Sequence, residues 1–194
     1  MFEKQTKEQT KRLFIALELP APIRLLLSER QKGLTNVNWA ALDNLHLTLR
    51  FIGSVSLELT WAIAVALTEI DAKNFYLELN GLGIFERRPG AVLWASLAPS
   101  PALNALKRLI DEVLKKIASL KIPTELFRPH VTLGRMKRAE RHLLKTFATE
   151  SQKPLKAGFK ATSFVLFSSL LRPEGAVYTL ERRYLLKDDS IIVK

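Results

Sequence analysis

The stretch His46-Leu47-Thr48-Leu49 is repeated in the second half of the chain as His130-Val131-Thr132-Leu133. Each copy lies in an apolar run that predicts a strand. Successive side chains of a strand point to opposite faces, so each copy places its histidine and threonine on one face and its two aliphatic residues on the other. The pattern predicts two strands that bury aliphatic side chains in a core and present an imidazole and a hydroxyl on the opposite face. The alternative is two ordinary strands in which polar and apolar residues happen to alternate.

The repeat uses two of the three histidines in the chain. If a pseudo-twofold axis relates the two halves, both histidines face one central cleft. An ordinary imidazole pKa of about 6.5 lets a neutral ring accept a proton while a charged partner donates one. Phosphoester hydrolysis uses such a pair, because water loses a proton on one side of phosphorus while the leaving oxygen gains one on the other. The hydroxyls of Thr48 and Thr132 suit the non-bridging oxygens, on which charge develops.

The composition is that of a globular protein. Of the 194 residues, 47% are hydrophobic and 25% are charged, which excludes a disordered or fibrous chain. Cysteine is absent, which excludes a disulfide framework, a thiolate nucleophile and a zinc site built on sulfur. No run of residues approaches the roughly 20 apolar residues that span a bilayer. We therefore expect a soluble, cytoplasmic protein with no membrane partner.

Predicted strands and helices alternate along the chain. The predicted strands cover residues 12–19, 45–52, 75–79, 91–97, 130–134, 159–167 and 177–186. One predicted helix starts near residue 22, and three others cover residues 57–70, 101–120 and 140–149. The glycines of segment 81–90 predict a loop. No linker separates the two halves, so we expect an α+β fold in which residues 12–194 form a single catalytic domain of two interlocked lobes. Residues 1–11 are expected to be a flexible tail.

Three segments carry a resemblance to a known family: RLFIAL at 12–17, LHLTLRFIG at 45–53 preceded by Trp39, and FRPHVTLGR at 127–135. They resemble the 2H phosphoesterases, and more closely the bacterial and archaeal RNA 2′,3′-cyclic phosphodiesterases, first described as 2′-5′ RNA ligases. The resemblance runs from about residue 12 to 186 and includes residues 167–170 and Tyr178. It implies a bilobal, pseudo-symmetric fold in which two antiparallel sheets flank a V-shaped cleft, with helices outside.

The resemblance also implies an activity, which is the hydrolysis of an RNA 2′,3′-cyclic phosphate end to a 2′-phosphate. No metal or other cofactor and no obligate protein partner are implied, and 2′-5′ ligation is expected as a side activity. On this analogy His46 is the acid that protonates the departing 3′ oxygen, and His130 is the base that activates water. Arg135 is the analogue of a phosphate-contacting arginine.

Four further residues are candidates for substrate binding: Arg135, Phe51, Arg50 and Phe14. Strict alternation puts Arg135 out of phase with His130, so its contact with the cleft requires a bend, which Gly134 permits. Arg50 is in phase with His46 and suits either the cleft or a solvated position at its rim. Phe51 shares the parity of the core leucines, and Phe14, like Trp39, suits either base stacking or core packing. His142 lies in the predicted helix 140–149 and is expected at the surface or half-buried.

Two other classes of function remain open on the sequence. Two histidines suit zinc, but no third ligand stands at a recognisable spacing. The 30 Lys and Arg against 19 Asp and Glu give a net charge of +11, which favours polyanions and fits a noncatalytic RNA-binding module. The basic pairs that could follow a nucleic-acid backbone are Arg87-Arg88, Lys107-Arg108, Lys115-Lys116, Lys137-Arg138 and Arg182-Arg183. A module that only binds has no need for two opposed imidazoles.

Overall fold

A computed structural model of the chain describes residues 9–87, 89–124, 126–139, 144, 145, 147, 149, 155–173 and 175–188. The strands are β1 (Thr10–Glu18), β2 (Val37–Trp39), β3 (His46–Ser56), β4 (Phe75–Arg87), β5 (Gly90–Leu97), β6 (His130–Met136), β7 (Ala157–Ala161), β8 (Ser163–Arg172) and β9 (Gly175–Leu185). The helices are α1 (Ala21–Ser28), α2 (Leu57–Ala66) and α3 (Pro101–Lys115), with short 3₁₀ turns at Leu42–Asn44 and Leu67–Glu69. The predicted α+β class is confirmed.

The described strands form one antiparallel sheet in the order β7-β4-β5-β6-β3-β1-β8-β9, with β2 paired to β6. The expected pair of separate sheets is therefore corrected to two halves of a continuous sheet. Strands β3 and β6 meet at its centre through the single register pair Leu47 and Val131. The main pairing of each motif strand is with its other neighbour, β3 with β1 and β6 with β5. The two halves of the sheet are therefore joined by this one short contact.

Each motif strand contains an irregularity at the same place. Between β1 and β3 the register jumps from Thr48 to Arg50, which leaves Leu49 without an opposite residue. Between β5 and β6 it jumps from Thr132 to Gly134, which leaves Leu133 in the same situation. Such a β-bulge inserts one residue into a strand and reverses the alternation of faces beyond it. Phe51 and Arg135, each five residues after its motif histidine, are accordingly exposed.

A single hydrophobic core joins the helices to the aliphatic face of the sheet. Leu47 and Val131 are fully buried in it together with Ile63 of α2 and Ile110 of α3. Helices α2 and α3 begin at the serine caps Ser56 and Ser100, whose hydroxyls each accept a backbone N–H three residues on, at 3.2 Å. Within the described part of the chain, no helix combines the length and the apolar composition that a membrane crossing requires.

Several boundaries differ from the sequence prediction, and one predicted helix lies mostly outside the described residues. Strand β1 starts at Thr10, so the last residues of the expected tail pair with β3, while residues 1–8 lie outside the described residues. The segment 81–90 is mostly strand rather than loop, and its residues 81–87 pair with β5. Gly83 allows close approach of the Trp94 indole, where an added Cβ would be 2.3 Å from a ring carbon. Most of the predicted helix 140–149, including His142, lies outside the described residues.

Candidate active site

Each motif histidine is oriented by a backbone carbonyl two residues before it. His46 Nδ1 lies 2.6 Å from the carbonyl oxygen of Asn44, and His130 Nδ1 lies 2.7 Å from that of Arg128. A carbonyl oxygen only accepts, so Nδ1 carries the hydrogen and donates it in both rings. Nε2 is therefore the atom of each ring that can take up or release a proton toward a substrate.

The surroundings of His46 are aromatic. Its ring centroid lies 5.0 Å from that of Phe14 and 5.3 Å from that of Tyr178. Its Nε2 is 3.0 Å from Thr48 Oγ1, so the hydroxyl donates to this nitrogen while the ring is neutral. Burial lowers the pKa of His46, and the hydrogen bond to Asn44 opposes this. The positive charges of His130 and Arg135 lower the pKa further.

The surroundings of His130 combine aromatic rings with cations. The centroids of Phe85 and Trp94 lie 5.1 Å and 6.1 Å from the imidazole. Burial lowers the pKa of His130, the hydrogen bond to the Arg128 carbonyl opposes this, and the charges of Arg135 and Arg87 lower it further. The neutral ring, which can accept a proton, is thus the favoured form of His130 near neutral pH.

The predicted catalytic side chains border two cavities. The larger, of about 870 Å³, is lined among others by Thr48, Phe51, Phe85, Arg87, Arg128, His130, Thr132 and Arg135. His46 lines the smaller, of about 440 Å³, together with Phe167 and Tyr178. Because His46 is hydrogen-bonded to Thr48, which lines the larger cavity, the two histidines and two threonines border adjoining spaces on one face of the sheet.

The bulges decide where Phe51 and Arg135 lie. Phe51 is 59% exposed and lines the larger cavity, so the core parity assigned to it by simple alternation is wrong. Arg135 lines the same cavity. Its phase is corrected by the extra residue Leu133, rather than by a bend at Gly134. Gly134 instead allows close approach of Trp39, whose ring would lie 2.6 Å from an added Cβ.

Two expected substrate contacts are buried instead. Phe14 is 1% exposed and lies beneath His46, where it contacts that ring and supports it. Arg50 borders the larger cavity, but the same bulge turns it toward the core. It is 6% exposed, and its guanidinium donates to both carboxylate oxygens of Asp111. Arg50 is therefore neither solvated at the rim nor directed into the cleft with its guanidinium, which Asp111 holds.

Comparison with known proteins identifies the family. The model of the 2′-5′ RNA ligase superfamily matches residues 21–171. The chain belongs to this superfamily. The resemblance carried by the two motifs is thereby confirmed.

Two relatives and one solved structure illustrate how far the likeness to other superfamily members extends. The chain is 29% identical to the RNA 2′,3′-cyclic phosphodiesterase of Archaeoglobus fulgidus, over 86% of this chain and 96% of that protein. It is 34% identical to the enzyme of the same name from Aeropyrum pernix, over 70% of this chain and 78% of the relative. The crystal structure of E. coli LigT complexed with 3′-AMP matches with a TM-score of 0.77 at 26% identity, covering 92% of this chain and 99% of LigT.

Several parts of this superfamily member's site were not predicted from its sequence. The carbonyls of Asn44 and Arg128 are backbone groups, which leave no signal in residue types. Phe85 lies in the segment 81–90, whose glycines predict a loop and give no signal for a site residue. Asp111 has one usable signal, its i,i+4 spacing from Lys107, which favours an ion pair on a helix. Lys107 stands in one of the basic pairs that could follow a nucleic-acid backbone, yet it is 6% exposed.

Within the described residues, His, Asp and Glu side chains form no group of three or more suited to a metal ion. A chelation experiment therefore tests whether the activity depends on a metal ion.

Proposed function

We propose that this chain is an RNA 2′,3′-cyclic phosphodiesterase that opens the cyclic phosphate at an RNA end and leaves a 2′-phosphate and a 3′-hydroxyl. The observation that carries the proposal is the pair of imidazoles, each with Nδ1 held on a backbone carbonyl, which leaves Nε2 as the nitrogen for proton transfer. The names of the relatives supply the substrate class.

Each histidine has one role in the displacement. As the water oxygen bonds to phosphorus, its proton passes to Nε2 of neutral His130. The bond from phosphorus to the 3′ oxygen breaks on the opposite side, and Nε2–H of protonated His46 gives its proton to that oxygen. The bond to the 2′ oxygen stays intact, so the product is the 2′-phosphate. The negative phosphate beside His46 favours the protonated ring that this role requires.

The pairing of the motif strands supports a pseudo-twofold arrangement of the two lobes. Leu47 and Val131 occupy equivalent places in the two motifs and are register partners across antiparallel strands. Equivalent residues paired in this way are related by a local twofold axis, which brings the two histidines to opposite sides of a shared position. In-line displacement needs an acid and a base on opposite sides of phosphorus.

A cation near His130 supports its assignment as the base. Arg87 lowers the pKa of His130 but is not among the groups that act on His46. A base must be neutral before the reaction, and a nearby cation favours the neutral ring. Burial and the charges of His130 and Arg135 lower the pKa of His46 as well, so the assignment of His46 as the acid follows the family resemblance.

The remaining cleft residues bind the phosphate and the nucleotide. The Thr48 and Thr132 hydroxyls donate to the non-bridging oxygens, and the Arg135 guanidinium neutralises the charge that develops there. Phe51 offers an exposed ring for base stacking. No step uses a metal ion.

The direct test is an RNA oligonucleotide that ends in a 2′,3′-cyclic phosphate, incubated with the protein in excess chelator. Phosphorus NMR of the product distinguishes the 2′-phosphate from the 3′-phosphate. We expect the 2′ isomer at an undiminished rate. A 3′-phosphate product, or activity that zinc restores after chelation, contradicts the proposal.

Ligation follows from the same geometry. If the 5′-hydroxyl of a second RNA replaces water, its oxygen bonds to phosphorus, its proton passes to His130, and the 3′ oxygen leaves with the proton of His46. The product is a 2′-5′ phosphodiester, which makes ligation a side activity of one site. A noncatalytic RNA-binding module is the alternative, and binding without conversion of either substrate supports it. The cytoplasmic location stays a prediction.

A further inference from the structure

A buried ion cluster connects the strand of the first motif to helix α3. Arg50 Nε donates to Asp111 Oδ1 at 2.8 Å, and Arg50 Nη2 donates to Asp111 Oδ2 at 2.6 Å. Lys107 Nζ also donates to Oδ2 of Asp111. The side chains of Arg50 and Lys107 are 5% and 8% exposed. The paired geometry of guanidinium and carboxylate fixes both the distance and the orientation of the two groups.

The carboxylate of Asp111 is held in the ionised state. Burial raises the pKa of Asp111, but the hydrogen bonds and charges of Arg50 and Lys107 outweigh this and lower it below the ordinary range. A buried charge that loses its partner is strongly unfavourable. The cluster therefore behaves as one rigid connection between β3 and α3.

The same cluster holds the segment that leads into the second motif. Arg50 Nη1 donates to the Pro123 carbonyl oxygen at 3.2 Å, and Lys107 Nζ lies 5.5 Å from the centre of the Phe127 ring. Arg128 follows Phe127 and supplies the carbonyl that accepts from His130 Nδ1. A line of contacts thus runs from the strand of His46 to the hydrogen bond that orients His130.

We propose that Arg50, Asp111 and Lys107 are positioning residues for His130, because they hold the segment before β6 where the Arg128 carbonyl accepts from Nδ1. This keeps the hydrogen on Nδ1 and leaves Nε2 free on the cleft side. The inference rests on the proposed role of His130 as the base. Asp111 is not among the residues that line either cavity, so its effect passes through Arg50 and Lys107.

The test is the near-isosteric variant Asp111→Asn, which removes the charge and one acceptor. Nitrogen-15 NMR of the imidazoles reads the tautomer of each ring without substrate, and steady-state kinetics with a cyclic mononucleotide reads the reaction. We expect the His130 signal to change from the Nδ1–H tautomer to a mixture, while the His46 signal stays unchanged on its Asn44 carbonyl. We expect kcat to fall about 10-fold to 100-fold, the scale of a misplaced catalytic group, with KM within about 2-fold of the wild-type value.

Two further variants complete the design. Glu69→Gln breaks the exposed ion pair between Glu69 and Lys116. Because Lys116 directly follows helix α3, this variant is the matched control, and we expect no change in the His130 tautomer or in kcat. Arg50→Lys keeps the charge but loses the paired geometry, so we expect an intermediate effect in both. This variant carries the test if Asp111→Asn does not fold.

An unchanged His130 tautomer in folded Asp111→Asn overturns the inference. So does a raised KM in Arg50→Lys with wild-type kcat, because Arg50 then contacts substrate. The NMR readout needs no turnover, so a protein that fails the cyclic phosphodiesterase assay still reports on the positioning of His130.

Discussion

The two motif regions share their backbone and differ in what surrounds it. In both, a strand carries His-x-Thr, a bulge follows the threonine, and a carbonyl two residues before the histidine accepts from Nδ1. The first region surrounds His46 with the rings of Phe14 and Tyr178, whereas the second places Arg87 near His130 in addition to Arg135, whose charge acts on both rings. Shared backbone therefore sets the orientation of the imidazoles, burial lowers the pKa of both rings, and Arg87 lowers the pKa of His130 further.

The largest effect is expected when either imidazole is removed. His46→Ala and His130→Ala should each lower kcat about 100-fold or more, because each loses a general acid or base. Turnover of a cyclic mononucleotide and circular dichroism of each variant check the result. His142→Ala, outside both motifs, is the control and should be unaffected. Near-normal turnover in either folded variant removes that histidine from the mechanism.

The residues after the two bulges come next. Arg135→Ala should lower kcat/KM for a cyclic mononucleotide about 10-fold to 100-fold, the scale of a charged hydrogen bond to phosphate. Phe51→Ala should mainly raise KM, by about 10-fold, since a stacked base is lost. The matched control is the double variant Lys115→Gln and Lys116→Gln at the end of α3. If Arg135→Ala weakens only the binding of long RNA, Arg135 belongs to the general basic surface.

Removal of the threonine hydroxyls should have a smaller effect. Thr48→Val and Thr132→Val each delete one donor to a phosphate oxygen, and we expect a loss of about 10-fold in kcat. In the substrate-free protein with neutral His46, the Thr48 hydroxyl donates to His46 Nε2 instead, so Thr48→Val should in addition change the His46 titration curve, whereas Thr132→Val should leave it alone. Losses greater than those of the histidine variants contradict the assigned roles.

The smallest expected effect is a shift in titration. The pKa of each histidine is lowered from 6.5, so kcat/KM should be bell-shaped with its maximum below about pH 6.5, the ordinary imidazole value. Arg87→Gln removes a cation near His130 alone, which should raise the pKa of His130 by less than about one unit. NMR titration of the ring protons checks this. An equal shift at His46 contradicts the difference between the two regions.

Alternation along the strands predicted from sequence that His46 with Thr48, and His130 with Thr132, share one face. It could not predict the bulges, because Leu49 and Leu133 are ordinary strand residues and the extra residue appears only in the register with β1 and β5. The same limit explains why alternation put Phe51 in phase with the core and Arg50 in phase with His46, since both residues lie beyond the bulge.

Long-range contacts between elements also could not be predicted from the sequence. The partner of Arg50 is Asp111 on α3, far along the chain, and neither residue type nor local spacing connects the two. The bidentate pair appears only when the core brings β3 and α3 together.

The central claim is that the two histidines divide the reaction, with His46 as acid and His130 as base. The most direct measurement compares the wild type, His46→Ala and His130→Ala on a cyclic nucleotide whose 3′ oxygen is replaced by sulfur. A thiolate leaves without protonation, so the account predicts that this substrate restores most of the activity of His46→Ala and leaves His130→Ala impaired. Rescue of His130→Ala instead reverses the two roles, and rescue of neither variant contradicts acid catalysis by a histidine.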